Sequence, residues 1–351
     1  MKLILELSGE HPTLPRAEAI ACLESEFNKF RIIDEGERVI VVDVKNEVNC
    51  KELKFLAFPK FTHSIHLRHK CLSVPVNFVN RLGRLSLSHY VDEFLFSSNI
   101  EKLFDYAKTI KVDGTFKVNV KHVAGKKTSN IERKIGGLIH GKVDLKNPEN
   151  EIRIIVSDRC FAGKKILKID RKVFDKRKPQ FRPFFSPISL HPRLARALVN
   201  LSRIKKNQVL FDPFCGTGGI LIEAGLVGAK TVGSDIDEKM VKGCRENLEY
   251  FGIKNYALFQ SDVGDVDVKC DAVVTDPPYG RSASTKKENV GKLYERAFEV
   301  FRKILKKEGY LVIALPDKRF MELGKNYLNL LEFHPVRVHR SLTRYFCVYR
   351  D

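Results

Sequence analysis

The sequence is poor in several residue types, and these absences narrow the class of protein. Its 351 residues include no tryptophan, three methionines and eight cysteines, none of them in a Cys-x-x-Cys pair. The scattered cysteines argue against a zinc ribbon and favour a reducing compartment. No apolar stretch is long enough to span a bilayer, and the amino terminus alternates apolar and charged residues as a strand does. We therefore expect a cytoplasmic protein that makes no membrane contact.

The sequence has one cluster of possible metal ligands, which consists of His63, His66, His69 and Cys71. Apolar residues alternate with the histidines, as in a β-strand, so the four side chains would not share one face. Because a metal ion needs its ligands to converge, we expect no metal site.

Positive charge is unevenly distributed along the chain, whose formal net charge is +19. Residues 1–110 carry 15 Lys and Arg against 15 Asp and Glu, whereas residues 111–180 carry 19 against 8, a net charge of +11. Residues 181–351 carry 28 against 20. A run of lysines usually only solvates a surface, but so large a local excess indicates a surface that binds a polyanion.

The most informative motif is DPPYG at 276–280, which follows the apolar run AVVT at 272–275. Two consecutive prolines end a strand, because each removes a donor and fixes φ. The turn offers a carboxylate, backbone carbonyls and an aromatic face, a set that suits a flat base with an exocyclic amine. An ordinary strand-to-loop turn is the alternative. The candidate catalytic residues are Asp276, Pro277, Pro278 and Tyr279.

A glycine-rich turn lies upstream, where the strand QVLFD at 208–212 runs into PFCGTGG at 213–219. Gly216 and Gly218 allow φ > 0 and a close approach of the backbone to a ligand, and the helix that follows would attract a carboxylate at its amino terminus. The spacing is not the G-x-G-x-x-G of a dinucleotide site, and no lysine follows as in a P-loop.

Two further acidic residues stand at predicted strand ends. Asp235 follows the strand at 231–234 and is placed to accept both hydroxyls of a ribose, while Asp262 follows the strand at 257–260 and suits an adenine amine. A lone aspartate is more often a helix cap or part of a solvated turn. Together with Asp212, however, they form three acids at three successive strand ends, a pattern that favours a nucleoside with an amino-acid tail.

These motifs resemble those of class I S-adenosylmethionine-dependent methyltransferases that modify amino groups. DPFCGTGG, GSDID, SD and DPPYG stand in the order of the cofactor and catalytic motifs of that family, and the segment 189–200 resembles the helix that flanks the methionine part of the cofactor. The resemblance implies a Rossmann-like domain with a mostly parallel seven-stranded sheet and an antiparallel closing strand. It implies these cofactor-binding residues: His191, Asp212, Phe214, Gly216, Thr217, Gly218, Asp235, Ile236, Asp262 and Val263.

The remaining elements follow from periodicity and from a second resemblance. Helices are predicted at 16–30 and near 289–305, a strand at 309–316, and an antiparallel pair at 333–349. Residues 60–165 resemble the THUMP RNA-binding domain, and the residues before them resemble a small ferredoxin-like α+β domain. The predicted layout is an N-terminal ferredoxin-like domain (1–59), a THUMP domain (60–166), a basic linker (167–186) and a methyltransferase domain (187–351).

A THUMP domain beside a DPPY-type methyltransferase resembles the archaeal tRNA guanine-10 methyltransferases, which form mono- and dimethylguanosine. Guanine at position 6 of tRNA, or a guanine of ribosomal RNA, stays an alternative substrate, and a non-catalytic RNA-binding protein is the alternative of a different class. A monomer that binds tRNA is expected. The candidate RNA-binding residues are Lys121, Lys126, Lys127, Lys164, Lys165, Lys176, Arg177 and Lys178.

The resemblance also implies how the catalytic turn acts. Asp276 and the carbonyl of Pro277 are expected to accept the two N–H bonds of the guanine amine, while Tyr279 stacks on a base that has been taken out of its helix. Methylation of a pyrimidine carbon would need a cysteine nucleophile, and the turn DPPY has none.

Overall fold

The computed structural model describes seven stretches of the chain, which are residues 1–27, 29–45, 81–123, 130–186, 189–279, 289–339 and 342–351. They divide into two compact units. The first unit holds Met1–Leu7, Phe27–Gly83 and His89–Ile169, and the second holds Ser8–Glu26, Arg84–Ser88 and Asp170–Asp351. Each unit is thus assembled from segments that are separated in the sequence.

The first unit is built on one sheet of eight strands. These strands are β1 (Lys2–Leu7), β2 (Phe30–Gly36), β3 (Val39–Val44), β4 (Ser88–Ser98), β5 (Lys111–His122), β6 (His140–Val143), β7 (Asn150–Val156) and β8 (Cys160–Lys168). Their order across the sheet is β2-β3-β1-β4-β8-β7-β5-β6. Helix α1 (Leu14–Glu26) follows β1 in sequence but belongs to the second unit, whereas α2 (Leu103–Ala107) and α3 (Ile131–Gly136) belong to the first.

The first unit encloses a charged cluster as well as an apolar core. Ile131 and Ile135 of α3 lie one turn apart and pack against Phe116 of β5, because residues at i and i+4 share a helix face. Arg153 of β7 donates to Glu6, and its Nη1 lies 2.7 Å from a carboxylate oxygen of Asp92. All three charged side chains are buried.

The second unit contains a sheet of seven strands with helices packed around it. Its strands are β9 (Val209–Asp212), β10 (Lys230–Asp235), β11 (Tyr256–Gln260), β12 (Cys270–Thr275), β13 (Leu305–Leu315), β14 (Asn329–His339) and β15 (Leu342–Arg350). Besides α1, its helices are α4 (Lys172–Asp175), α5 (Pro192–Leu201), α6 (Gly219–Leu226), α7 (Glu238–Tyr250), α8 (Val290–Ile304) and α9 (Lys318–Gly324). Single 3-10 turns occur at Pro179–Phe181 and Val263–Asp265.

The strand order β11-β10-β9-β12-β13-β15-β14 determines where a ligand can bind. Strands β9 to β13 run parallel, and β15 runs antiparallel to both β13 and β14. The order reverses between β9 and β12, which creates a crevice at the carboxyl ends of these two strands. The predicted Rossmann-like sheet with an antiparallel closing strand is confirmed.

Helix α1 is fixed to the second unit by a buried carboxylate. Glu18 accepts hydrogen bonds from the backbone N–H groups of Ser86 and Leu87, both at 2.8 Å, and from the side-chain amide of Asn200 at 2.7 Å. Burial raises the pKa of Glu18, and these donors oppose that rise. Helix α1 thus falls within the predicted N-terminal domain (1–59) but belongs to the second unit. The predicted boundary at residue 59 lies outside the described residues.

The segment predicted to be a basic linker lies mainly in the second unit, which resumes at Asp170. It contains α4, whose Phe174 is buried. Arg177 donates from Nε and Nη2 to the carboxylate of Glu223 at 2.7 and 3.1 Å, and Arg196 reaches the same carboxylate at 2.8 Å. Because Glu223 is buried in α6, the two arginines compensate its charge inside the unit.

Candidate active site

The glycine turn between β9 and α6 faces open space. Gly216 and Gly218 have φ of +48° and +80°, which disfavours other residues at both positions. A Cβ built on Gly216 would meet no atom within 4 Å, whereas one on Gly218 would lie 2.7 Å from the sulfur of Cys244. Gly216 therefore leaves room for a ligand, and Gly218 is required by packing.

Asp235, at the end of β10, supports this turn. Its carboxylate accepts from the backbone N–H of Gly216 and from that of Asp237, each at 3.0 Å. Burial raises its pKa, and the two N–H donors oppose the rise. Asp235 is half-buried beside the open turn, so its remaining lone pairs can accept from the hydroxyls of a ligand.

Asp212, at the end of β9, links the glycine turn to the catalytic strand. One carboxylate oxygen accepts from the hydroxyl of Thr275 at 2.7 Å and from the backbone N–H of Phe214 at 3.2 Å. Burial raises its pKa to about 7, and the nearby charges of Asp276 and Asp235 act in the same direction. Asp212 is 1% exposed, and its part in cofactor binding stays a prediction.

Asp262 is engaged more strongly than the sequence suggested. It caps the turn Val263–Asp265 through the N–H of Gly264 at 2.8 Å, and Arg296 of α8 donates to the same oxygen at 2.6 Å. A Cβ on Gly264 would lie 2.5 Å from this guanidinium. Arg296 is not among the residues predicted from the sequence, because nothing in the local pattern of α8 relates it to a strand end.

His191 and Thr217 lie on the side of the crevice formed by α5. His191 caps α5, and its Nδ1 accepts from the backbone N–H of Arg193 at 3.2 Å. Burial and the nearby charge of Lys178 lower the pKa of His191, which keeps the ring neutral for this role. The hydroxyl of Thr217 lies 3.1 Å from that of Ser189.

The catalytic candidates lie at the carboxyl end of β12, on the other side of the reversal point. Asp276 accepts from the hydroxyl of Tyr279, and Nη1 of Arg344 lies 3.3 Å from its second oxygen. Burial raises the pKa of Asp276, whereas Arg344 and Tyr279 oppose that rise. The hydroxyl of Tyr294 donates to the carbonyl of Pro278 at 3.4 Å, so α8 supports the turn from behind.

Tyr279 contacts both the catalytic carboxylate and Arg344. Its ring lies 5.2 Å from the guanidinium carbon of Arg344, and its hydroxyl is bonded to Asp276. Burial raises its pKa well above the usual range, so the phenol stays a neutral donor. Stacking of this ring on a substrate base stays a prediction, and it requires the base to share or displace the bond to Asp276.

The other predicted cofactor residues are Phe214, Ile236 and Val263. Phe214 follows Asp212 and packs partly against the core on one face of the sheet, where Val263 is buried. Ile236 is half-buried, and its carbonyl accepts from Gln260 at 3.0 Å. Their parts in cofactor binding stay predictions.

The predicted RNA-binding lysines of the first unit differ in their surroundings. Lys121 is exposed on β5, while Lys164 and Lys165 are half-buried on β8. Lys165 forms an ion pair with Glu151. Lys126 and Lys127, which the prediction also included, lie outside the described residues.

Of the three predicted RNA-binding residues in the second unit, only Lys176 is fully exposed. Lys178 pairs with Asp175 at 2.8 Å. Arg177 is held by Glu223, and its Nη1 donates to the carbonyl of Val173. The structure therefore gives Arg177 a place inside the unit, and we leave it out of the proposed RNA surface.

Two other expectations concern metals and membranes. The prediction that no metal binds at one cluster concerns residues outside the described stretches, which are His63, His66, His69 and Cys71. Within the described stretches, no group of three His, Cys, Asp or Glu side chains converges as a metal site requires, and no helix is both long and apolar enough to span a bilayer.

The crevice fits S-adenosylmethionine, the cofactor that the sequence motifs imply. A Cβ on Gly216 would project into open space, so a glycine there leaves that space to a ligand. The N–H groups at the start of α6 suit a carboxylate. Asp235 keeps acceptor capacity on the same side. A carboxylate acceptor beside the turn matches the hydroxyls of a nucleoside with an amino-acid tail better than it matches a phosphate, which it would repel.

Comparisons with known proteins bear on the family and the fold of the chain. The family described as "UPF0020: RMKL-like, methyltransferase domain" matches residues 179–345. The tRNA (guanine(10)-N2)-dimethyltransferase of Methanothermobacter thermautotrophicus is 37% identical over 98% of both chains, and that of Methanocaldococcus jannaschii is 32% identical over 98% of both. The crystal structure of TrmN from Thermus thermophilus is 18% identical in sequence, and its superposition covers 100% of both chains with a TM-score of 0.51. This similarity concerns the fold.

Proposed function

Because this chain belongs to the family of tRNA (guanine(10)-N2)-dimethyltransferases, we propose that it transfers methyl groups from S-adenosylmethionine to the exocyclic amine of a guanosine in tRNA, at position 10. One observation carries the proposal beyond family membership. The carboxylate of Asp276 lies in the crevice at the reversal point of the sheet, held by Arg344 and Tyr279. An acceptor at that place is what an amine substrate requires.

Orientation is the main task of the catalytic turn. The lone pair of the guanine amine is delocalised into the ring, so the amine is a weak nucleophile. Asp276 and the carbonyl of Pro277 accept its two N–H bonds and turn the lone pair away from the ring. When bound, S-adenosylmethionine supplies an electrophilic methyl group. The carboxylate of Asp276 then accepts the proton that the amine releases. Alignment therefore contributes more than strong base catalysis.

The cofactor is held by the three strand ends on the other side of the crevice. The turn at Gly216–Gly218 binds the carboxylate of the methionine part, and Asp235 accepts from the ribose hydroxyls. Asp262, positioned by Arg296, lies toward the adenine. The residues proposed to complete this set are His191, Asp212, Phe214, Thr217, Ile236 and Val263.

The RNA is proposed to be bound largely by the basic part of the chain, with a THUMP domain over 60–166 and a ferredoxin-like domain before it. The parallel pairing of β5 with β7 and the packing of α3 on β5 support an α+β module there. Lys121, Lys164 and Lys176 supply phosphate contacts. A cytoplasmic monomer that binds folded tRNA is the state in which we expect the protein to act.

The proposal can be tested with the purified full-length chain. It is incubated with S-adenosylmethionine and tRNA transcripts, and the nucleosides are analysed by mass spectrometry, with primer extension to locate them. We expect N2-methylated guanosine at position 10 and no transfer when inosine, which lacks the amine, replaces that guanosine. A methyladenosine or methylcytidine product, or transfer to the inosine-bearing tRNA, would overturn the proposal. Methylated guanosine at position 6 of tRNA or in ribosomal RNA would support the alternative substrates in place of position 10. Binding of tRNA without methyl transfer would favour a non-catalytic RNA-binding protein.

A further inference from the structure

Arg344 reaches the catalytic turn from the closing strand of the sheet. It lies near the beginning of β15, where Tyr345 pairs with Leu315 at the end of β13. Because β15 runs antiparallel to β13, its first residues lie at the edge where β12 ends. This places the Arg344 guanidinium against the carboxylate of Asp276, with side-chain exposures of 11% and 19%.

The guanidinium lies between Asp276 and Tyr279 and has a buried donor without an acceptor. Nη1 lies 3.3 Å from an oxygen of Asp276, and the guanidinium carbon lies 5.2 Å from the centre of the Tyr279 ring. The Nε–H is buried and has no acceptor among the described residues. A buried donor without an acceptor is unfavourable unless a ligand accepts from it. The Nε–H of Arg344 is such a donor, and its side chain contacts the catalytic carboxylate.

The hydrogen-bonding groups at this site can be compared with the edge of each base. Next to its amine, guanine presents a second donor, N1–H, followed by the acceptor O6. Adenine presents the acceptor N1 beside its amine. The carboxylate of Asp276 has two acceptor oxygens, and the Nε–H of Arg344 is a donor beside them. The order acceptor, acceptor, donor is complementary to guanine and clashes with adenine.

We propose that Arg344 selects guanine, both by holding Asp276 as a pair of acceptors and by donating from Nε–H to the O6 of the base. The proposal rests on the proposed function and names a specificity determinant within it. Arginine is suited to this role, because its planar donor fork can contact a carboxylate and the O6 of guanine at the same time. Lysine carries the charge but not the fork.

The experiment compares two variants on two substrates. Arg344→Lys keeps the positive charge and removes Nε–H, and Arg344→Met removes both. Each is assayed on tRNA with guanosine or 2-aminopurine riboside at the target position, since 2-aminopurine keeps the exocyclic amine and lacks both O6 and the N1–H donor. We expect the guanosine to 2-aminopurine ratio of kcat/KM to fall about tenfold to a hundredfold in both variants relative to the unaltered protein, and the lysine variant to be the faster of the two on guanosine.

Controls separate this role from a structural one. Both variants should keep the cofactor affinity measured by isothermal titration, and Arg319→Met, which removes an arginine whose side chain is 83% exposed, should leave the ratio unchanged. If Arg344→Met does not fold, the lysine variant alone decides. A ratio that stays the same in the folded variants overturns the assignment of Arg344 and leaves the proposed function intact. An unaltered protein that methylates no guanosine overturns both.

Discussion

Each unit contains an arginine that forms a cluster with carboxylates, and the two clusters differ in how completely they are enclosed. In the first unit Arg153 lies between Glu6 and Asp92, and the exposed fractions of the three side chains are 3%, 3% and 0%. In the second unit Arg344 and Asp276 keep 11% and 19%. The first cluster is sealed inside a sheet, whereas the second opens at a sheet edge.

A shifted pKa does not distinguish the two clusters. Burial raises the pKa of Asp92 to about 7, and it also raises the pKa of Asp276. Perturbed acids therefore mark burial as readily as they mark catalysis. The distinction comes from topology, because Asp276 follows a parallel strand at the reversal point of the sheet, while Asp92 lies inside a strand.

The largest effect is expected from opening the sealed cluster. Arg153→Met leaves Glu6 and Asp92 buried without their cation, and removal of one partner of a buried pair typically costs about 3–5 kcal/mol of unfolding free energy. Thermal and urea unfolding measure the loss. The control is Arg31→Met in the same unit, whose arginine is 74% exposed beside Asp43 and should change stability little. Equal stability of the two variants would show that the cluster is not structural.

The second largest effect is expected on catalytic activity, when the carboxylate of the open cluster is changed. Asp276→Asn replaces one of the two carboxylate oxygens with an NH2 donor and removes the negative charge, so we expect kcat to fall by about 10²–10³-fold, as it does when one preorganised polar contact is lost. Thermal stability and cofactor affinity should change little. The exposed Asp267 provides a matched control as Asp267→Asn. Full activity of the Asp276 variant would contradict the catalytic assignment.

A smaller effect is expected on the cofactor side of the crevice. Asp235→Asn removes a charged acceptor from the ribose hydroxyls, and hydrogen bonds to charged groups contribute about 1.5–3 kcal/mol. We therefore expect the affinity for S-adenosylmethionine to fall about tenfold to a hundredfold. Isothermal titration of this variant and of Asp276→Asn measures the contrast. If the Asp276 variant lost as much affinity as the Asp235 variant, the two sides of the crevice would not have separate roles.

The sequence predicted the elements around the open cluster well, because they rest on local patterns. Helix α8, predicted near 289–305, spans Val290–Ile304, and the antiparallel pair predicted at 333–349 is β14 with β15. Helix α1 was predicted to extend to residue 30, but it ends at Glu26 because Phe30 already pairs with Val44 in the sheet.

The partners of the catalytic residues could not be predicted in the same way. Arg344 contacts Asp276, and Arg296 contacts Asp262, across long stretches of sequence. Hydrophobic periodicity reports only on the face of one element, so it cannot identify contacts between elements. The same limit explains why Arg177 looked like a free surface cation, since its partner Glu223 lies inside a different helix.

The smallest effect we expect is a displacement of the pH profile, and it tests whether the open cluster needs its arginine for charge. Burial raises the pKa of Asp276, and the charge of Arg344 opposes that rise. Removing the charge therefore raises the pKa further. Because the amine needs an ionised acceptor, activity is lost as pH falls through the pKa of Asp276. The acid limb of kcat/KM should thus move to higher pH in Arg344→Met and move less in Arg344→Lys.

The groups that act on Asp276 from neighbouring positions stay in place in both variants. The hydroxyl of Tyr279 donates to Asp276. The charge of Asp276 also acts on Asp212 and Tyr294 and raises the pKa of each. Measurement of kcat/KM from acid to neutral pH for the two variants and for Arg319→Met isolates the contribution of the guanidinium. Coincident acid limbs in all three would mean that the open cluster, unlike the sealed one, does not depend on its arginine for charge. Arg344 would then act through geometry alone.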